Sequence, residues 1–294
     1  MNLRIFDGLR RRHLLDWLPD RVYLQLAFRA FLGKPLRLKH PQTLNEKLQW
    51  LKLYDRKPEY TMMVDKYRVR DYIKAQLGEE YLIPLLGVWD DPDDIDFDAL
   101  PNQFVLKCNH NSGLGMCICK DKSQLDIPAV KAELRKGLAQ NYYLTGREWP
   151  YKDVPRKIIC EKYMVDESGT ELKDYKIDCF NGQAKIMLRV QGRFSGSAVL
   201  ANYYTRDRQE LLFRWGFARN EHPQPWNPAY DEMFALADRL SRNIPHLRVD
   251  FYLVNGRIYF GELTFFDGSG FDKIEPETWD YTLGSYLQLP EKDR

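Results

Sequence analysis

Apolar residues recur at helical spacing along 20–32 and 43–54, and Pro41 with Thr43 ahead of Asn45-Glu46 marks a helix start. A further helical stretch runs from Val64 to Leu77, with Asp65 in its first turns and Gly78 placed to end it. The period then changes. Tyr81 to Trp89 reads as strand and turn, followed by the acidic loop Asp90–Asp96. Gln103–Cys108 is a short buried-strand pattern that runs into the polar glycine loop Asn109–Gly115, and Met116–Cys119 is its returning strand. Strand, glycine loop and strand make a lid-like hairpin. Helical spacing resumes over 127–141, and an aromatic-rich loop leads to Pro155. Lys157–Met164 is a strand that opens on the loop Asp166–Gly169. Tyr175–Phe180, an Asn181-Gly182 turn and Ala184–Arg189 form a second hairpin, and 228–243 again has helical spacing.

The stretch Arg248–Gly270 carries the most chemistry. Its flanks alternate apolar and polar residues around Asn255-Gly256, the strongest short-range turn signal in the chain. A two-residue turn would pair Asp250 with Gly261 and send Glu262 to the other face. A three-residue turn with Gly256 left-handed in a bulge places Arg248, Asp250, Glu262 and Thr264 together. We expect the second arrangement. Two carboxylates beside an arginine, followed by a Gly-Ser-Gly backbone, suit Mg²⁺ with phosphate oxygens. On spacing alone, an exposed hairpin face with a surface ion pair accounts for the same residues equally well.

The order of elements predicts an α+β protein built on antiparallel hairpins with helices packed on them. With 294 residues, 44% of them hydrophobic, the chain supports one large domain or two modest ones. Its formal net charge is only +2, but residues 1–40 hold nine Lys/Arg against three Asp/Glu, so the remainder is net acidic. That arm joins Arg10-Arg11-Arg12 to Leu14, Leu15, Trp17 and Leu18, a pattern suited either to an anionic membrane surface or polymer or to a surface helix packed on the body. The body is not basic and has no recognition element, which argues against nucleic acid. Cys108, Cys117, Cys119, Cys160 and Cys179 show no zinc-type pairing and read as reduced core thiols. No run has signal-peptide or membrane-span character, so a cytoplasmic location is expected.

Lys107 ends a strand just before a loop whose Asn109, Ser112, Gly113 and Gly115 can present phosphate-binding donors. It is not a Walker A loop, because the lysine precedes the glycines. Glu161-Lys162-Tyr163-Met164 leaves a strand where backbone groups become free to bond an adenine edge. Asp91-Pro-Asp93 and Asp94-Ile-Asp96 match the loose Asp-x-Asp pattern of metal-dependent sugar transferases, although charge runs between elements are usually solvated. His110 and His222 lack a carboxylate or cysteine at catalytic spacing and read as hydrogen-bonding residues.

The order of these parts resembles the ATP-grasp ligases. More narrowly, Leu44-Asn-Glu-Lys-Leu-Gln-Trp50, Val64-Asp-Lys66-Tyr-Arg-Val-Arg70, Phe104-Val-Leu-Lys107-Cys-Asn-His110, Glu161-Lys-Tyr163, Asp174-Tyr-Lys176 and Glu262-Leu-Thr-Phe-Phe-Asp-Gly-Ser-Gly270 resemble the TupA-like ATP-grasp family over about Leu44 to Pro290. That family is associated with teichuronopeptide and cell-surface polysaccharide synthesis. The resemblance implies two α+β subdomains that grip the nucleotide: a helical arm at 1–60, a lid and small subdomain at 61–160, and a large subdomain with the metal-binding hairpin at 161–294.

It also implies roles. Lys66 and Lys107 meet the phosphates of ATP, with Ser112 in the loop above them. Glu161 to Met164 hold adenine, through main-chain groups of Lys162 and Met164, and Asp174 holds the ribose. Asp250 and Glu262 bind Mg²⁺ with Thr264, which stands where the wider superfamily commonly has asparagine. Arg248 lies at the transferring phosphoryl group. The implied reaction joins a carboxylate on a sugar, polysaccharide or peptide to an amine such as an amino acid or amino sugar. Arg189, Arg193 and Ser269 are candidates for the substrate, and the basic arm is a candidate for the inner membrane face. Three other outcomes remain open at this point. One is a sugar or small-molecule kinase on the same fold, and another is a nucleotide-sugar glycosyltransferase that uses the acidic loop. The third is a non-enzymatic surface-binding module.

Overall fold

Helices fill the opening of the chain because its apolar residues keep a 3.6-residue period: α1 (Leu3–Arg11), α2 (Asp20–Leu32), α3 (Leu44–Tyr54), α4 (Glu59–Val64) and α5 (Val69–Gln76). The computed structural model describes residues 2–292 apart from Ser168, 170–171, 193–198 and Gln224. Thr43 and Glu46 form a capping box that satisfies amides at the start of α3. The single helix expected over Val64–Leu77 is divided in two. Asp65 leaves helical geometry at ψ 108°, and its carboxylate accepts from the amides of Tyr67 and Arg68 at 2.9 and 3.3 Å. Lys66 therefore sits in a capped joint between α4 and α5 rather than at a helix start.

A small antiparallel sheet follows, from β1 (Leu85–Trp89), β2 (Phe104–Cys108), β3 (Met116–Cys119) and β4 (Ile158–Lys162), in the order β1-β4-β2-β3. Helix α6 (Ile127–Ala139) covers one face, where Phe104, Leu106, Leu134, Ile158 and Cys160 form a core. The other face carries Val105, Lys107, Met116 and Ile118, as the strand period requires. A short α7 (Tyr143–Gly146) precedes β4.

The second half holds β5 (Asp174–Phe180), β6 (Gln183–Gln191), β7 (Leu200–Thr205), β8 (Glu210–Leu211), β9 (Arg214–Trp215), β10 (Ala218–Arg219), α8 (Ala229–Leu240), β11 (His246–Val254), β12 (Arg257–Thr264), β13 (Ile274–Glu275) and α9 (Thr278–Tyr286). The main sheet runs β10-β7-β6-β5-β11-β12, with β8 beside β7 and a separate β9-β13 pair. Apolar periodicity assigned nothing to 200–219, where three of the four strands are two residues long, or to 274–286, which holds the two-residue β13 and helix α9. The main core lies between this sheet and helices including α3, α5, α8 and α9, while α1 and α2 join Phe271 in a cluster of their own. All five cysteines are free, and four are fully buried, in agreement with the reading as core thiols. Among the described residues, no helix is long and apolar enough to cross a membrane.

The β11-β12 hairpin corrects one expectation and keeps its consequence. Asn255 and Gly256, at φ 51° and 77°, make a two-residue turn that pairs Val254 with Arg257. A three-residue turn is therefore absent. The register shifts farther along, between Asp250 and Phe251, so that Phe251 faces Phe260 while Asp250 faces Glu262. Gly261 is the extra residue on β12, and this bulge restores Glu262 and Thr264 to the face of Asp250 and Arg248. A Cβ on Gly261 would lie 3.0 Å from the Asp250 carbonyl oxygen and 3.2 Å from the Tyr252 ring. We expect Gly261→Val to lower stability by about 1–3 kcal/mol through overpacking, as measured by urea denaturation. An unchanged midpoint would show that the bulge is not tightly packed.

Candidate active site

The carboxylate face of the large sheet is set by strand register. Lys176 on β5 lies opposite Asp250, Asp174 lies opposite Tyr252, and Asp178 lies opposite Arg248. The Lys176 ammonium pairs closely with Asp250 and stands 3.7 Å from Asp174. The Arg248 guanidinium grips both oxygens of Asp250, at 2.7 and 2.8 Å, reaches Glu262 at 3.3 Å and binds Asp267 closely. The Lys66 ammonium stands 3.5 Å from Glu262. Burial opposes the charge of Glu262, but the cations of Lys66, Arg248, Lys176 and Lys107 outweigh it and hold the carboxyl at about 2. Arg248 shows the converse: desolvation works against its charge, and Asp250 and Asp267 keep its pKa well above the usual value. Thr264 stands beside this group, with its hydroxyl 3.5 Å from Glu262.

The small sheet supplies the opposite wall, and the cleft between them measures about 340 Å³. Its apolar end is lined by Ile83, Val105, Met116, Ile118, Met164 and Leu172, and its polar end by Lys66, Lys107, Asp174, Lys176, Asp250 and Glu262. The cleft thus combines an apolar slot with a charged basin. Lys107 reaches Glu161 at 2.6 Å, and Arg70 holds the other oxygen of Glu161 at 3.2 Å. The Glu161 carboxylate is thereby committed to aiming Lys107. The Lys162 amide donates to the Pro84 carbonyl at 2.9 Å, whereas Lys162 and Met164 both border the slot. Lys66 fixes the glycine loop by donating to the Asn111 carbonyl at 2.9 Å. Ser112 borders this cleft and also an adjoining pocket of about 280 Å³.

Other candidates fall elsewhere. Arg189 pairs in register with Tyr175, on the face turned away from Asp250, and stacks on Tyr204 and Tyr230 at 5.5 and 5.1 Å. It lines a separate cleft with Trp226 and Gln191, because a neighbouring strand position points to the opposite face. Arg193 lies outside the described residues. Ser269 lies in the smaller adjoining pocket, where its hydroxyl donates to Glu148. The acidic loop is a cap and ion-pair surface: Asp93 pairs with Arg135 and Lys131 of α6, and Asp91 caps its own turn. His110 hydrogen-bonds the Gln140 carbonyl at 3.1 Å, and His222 is exposed.

Sequence reasoning assigned no role to Lys176, Asp267, Glu148, Tyr142 or Tyr151. Lys176 was accessible, since it lies two residues after Asp174 on one strand. Asp267 and Glu148 follow no periodic pattern and reach the site only through tertiary packing.

The donor set fits a small divalent cation. Among the described residues, no three His, Cys, Asp or Glu side chains form a metal cluster. Mg²⁺ needs none, because it binds through one or two carboxylates and takes its remaining oxygens from phosphates and water. Asp250 and Glu262 are such a pair at the polar end of the cleft.

A family model described as TupA-like ATPgrasp matches residues 46–288. No curated protein matches the sequence. Among solved structures, a D-alanine–D-alanine ligase from Helicobacter pylori shares 14% identity, over 83% of this chain and 69% of its own, with a TM-score of 0.46. A D-alanine–D-alanine ligase from Bacillus anthracis complexed with ATP shares 16%, over 69% and 54%, with a TM-score of 0.40. D-cycloserine synthetase DcsG shares 16%, over 79% and 72%, with a TM-score of 0.43. The chain spans just over half the length of the Bacillus anthracis enzyme.

The lowered Glu262 value predicts an acid response. Its folded pKa lies below the ordinary 4.5, so its contribution to stability is complete above about pH 4.5 and is lost as pH falls toward about 2. The stability difference between the native protein and Glu262→Gln, from denaturant curves at stepped pH, should be constant above that window and shrink within it. A difference independent of pH would show that the surrounding cations do not act on Glu262.

Proposed function

This chain belongs to the TupA-like ATP-grasp family and has the ATP-grasp fold; on that premise we propose that it is an ATP- and Mg²⁺-dependent carboxylate–amine ligase. The observation that carries this reading is the shared face. Asp250, Glu262 and Lys176 border one cleft that also holds an apolar slot, and Arg248 grips Asp250 and Glu262 from the adjoining pocket. Adenine lies in the slot against Met164 and the main chain of Lys162, and Asp174 takes the ribose hydroxyls. Lys66 and Lys107 neutralise the phosphates, with Ser112 closing over them. Asp250 and Glu262 would hold Mg²⁺, with Thr264 beside them, and the ion would supply charge neutralisation for the phosphates.

Arg248 serves the transferring phosphoryl group, since its planar donor fork matches phosphate or acylphosphate oxygens. The substrate carboxylate attacks the terminal phosphorus to give an acylphosphate and ADP. An amine, in its neutral form, then attacks the acyl carbon, and phosphate departs with the bonding electrons and takes up the amine proton to leave an amide. The β2-β3 hairpin keeps water from the acylphosphate.

The family points to a uronic-acid or peptide carboxylate, joined to an amino acid or amino sugar during assembly of a capsule or wall polymer. A cytoplasmic protein working on lipid-linked polymer would meet it at the inner membrane face. The exposed side of α1 supports that location: Arg4, Ile5, Arg11 and Arg12 all face outward, and Trp17 nearby is 79% exposed.

A hydroxylamine trap tests the reaction. With ATP, Mg²⁺, hydroxylamine and a panel of uronic acids, the protein should yield ADP and an acyl hydroxamate. Asp250→Asn should reduce that yield at least about a hundredfold. A stable phosphorylated product formed without any amine would identify a kinase and reject the ligase.

A further inference from the structure

The second pocket, which adjoins the nucleotide cleft through Ser112 and Glu262, has a lining that discriminates among amines. Glu148 is its distinctive member. It is 5% exposed, takes a hydrogen bond from the Ser269 hydroxyl, and among the described residues has no lysine or arginine within ion-pair distance. Burial raises its pKa against the pull of Lys52, the Ser269 hydroxyl and Arg248. Tyr142 and Tyr151 meet edge to face at 4.8 Å and border the same pocket, offering aromatic surface to a cation.

The pocket offers an anion very little. Among the described residues Arg248 is the only cation in its lining, and the proposed reaction already commits its guanidinium to the transferring phosphoryl group, which leaves no cation for a second anion. The backbone is equally committed. The Gly268 amide donates to Asp267 at 3.0 Å and the Ser269 amide to the Phe266 carbonyl at 2.9 Å. An amino acid would bring a carboxylate next to its nitrogen and leave that carboxylate desolvated without a donor of matching charge.

We propose that this pocket receives a cationic primary amine with no carboxylate beside its nitrogen, an amino sugar or aminoalkyl group, and that Glu148 is the residue that recognises the ammonium. The assignment rests on the ligase reading and narrows its amine partner. It also explains why Ser269 lies here: its hydroxyl orients Glu148 rather than gripping an anionic acceptor.

Calorimetric titration of the full chain with glucosamine, ethanolamine, alanine and N-acetylglucosamine, in the presence of Mg²⁺ and a non-hydrolysable ATP analogue, tests this directly. Glucosamine or ethanolamine should bind at least about tenfold more tightly than alanine or the acetylated sugar. Glu148→Gln should weaken that binding at least about tenfold while leaving affinity for the ATP analogue unchanged, which also confirms that the variant is folded. Ser269→Ala, which keeps the charge and loses only its orienting bond, should have a smaller effect. Alanine binding as tightly as the simple amines, insensitivity to Glu148→Gln, or no amine binding beside normal nucleotide binding would each overturn the assignment. Failure of the native protein to bind the ATP analogue would instead reject the ligase reading on which it rests.

Discussion

One extra residue on one strand determines what this site can do. Side chains on a strand alternate with a period of two, so a hairpin closed by the two-residue Asn255-Gly256 turn would place Asp250 and Glu262 on opposite faces. The bulge at Gly261 changes that parity between the turn and the site. Everything chemical at the polar end of the cleft depends on it. Asp250, Glu262, Arg248 and Thr264 share one face only because the register shifts by a single position, and a Cβ at Gly261 would stand only 3.0 Å from the Asp250 carbonyl oxygen and 3.2 Å from the Tyr252 ring.

Bringing acids together has an electrostatic consequence that the fold resolves with cations on different elements. Lys176 comes from the adjacent strand, Arg248 from the same hairpin, Lys66 from the joint between two helices, and Lys107 from the small sheet. Each is fixed by a further contact, as Lys107 is by Glu161 and Lys66 by the Asn111 carbonyl. The arrangement is therefore charged yet locally neutralised. In the proposed reaction, an incoming polyanion and divalent cation would exchange partners with the charges already there. The turn beyond β12 is held in the same manner. Ser269 has a left-handed φ of 52°, and its carbonyl accepts from the buried Lys52 at 2.7 Å and from Gln49 at 3.0 Å. Lys52 also binds the Gly146 carbonyl at 2.7 Å, which ties the segment carrying Glu148 to that turn.

Much of this was legible from local pattern. The turns at Asn181-Gly182 and Asn255-Gly256, the lid-like hairpin and the capped start of α3 all carry signals a few residues long, and each element forms where that signal lies. The ordered motifs led to the family that the chain matches over 46–288. What stayed hidden depends on distant contacts. The bulge lies five residues beyond the turn, where the turn sequence carries no sign of it, and Asp65 divided a helix whose apolar spacing ran on without a break. Arg189 has the composition of a substrate residue but the parity of the wrong face. Glu148 and Asp267 lie in aperiodic segments whose place is set by Lys52, Gln49 and Arg248.

The central claim is that the bulge makes Asp250 and Glu262 a single divalent-cation site that works with a bound nucleotide. Mn²⁺ paramagnetic resonance, with ATP present and Mn²⁺ in place of Mg²⁺, measures this most directly. A protein-bound Mn²⁺ signal with phosphorus hyperfine coupling is expected, one that requires ATP and disappears in the Asp250→Asn, Glu262→Gln double variant. The same signal persisting in that variant, or Mn²⁺–ATP remaining free beside the native protein, would contradict the claim.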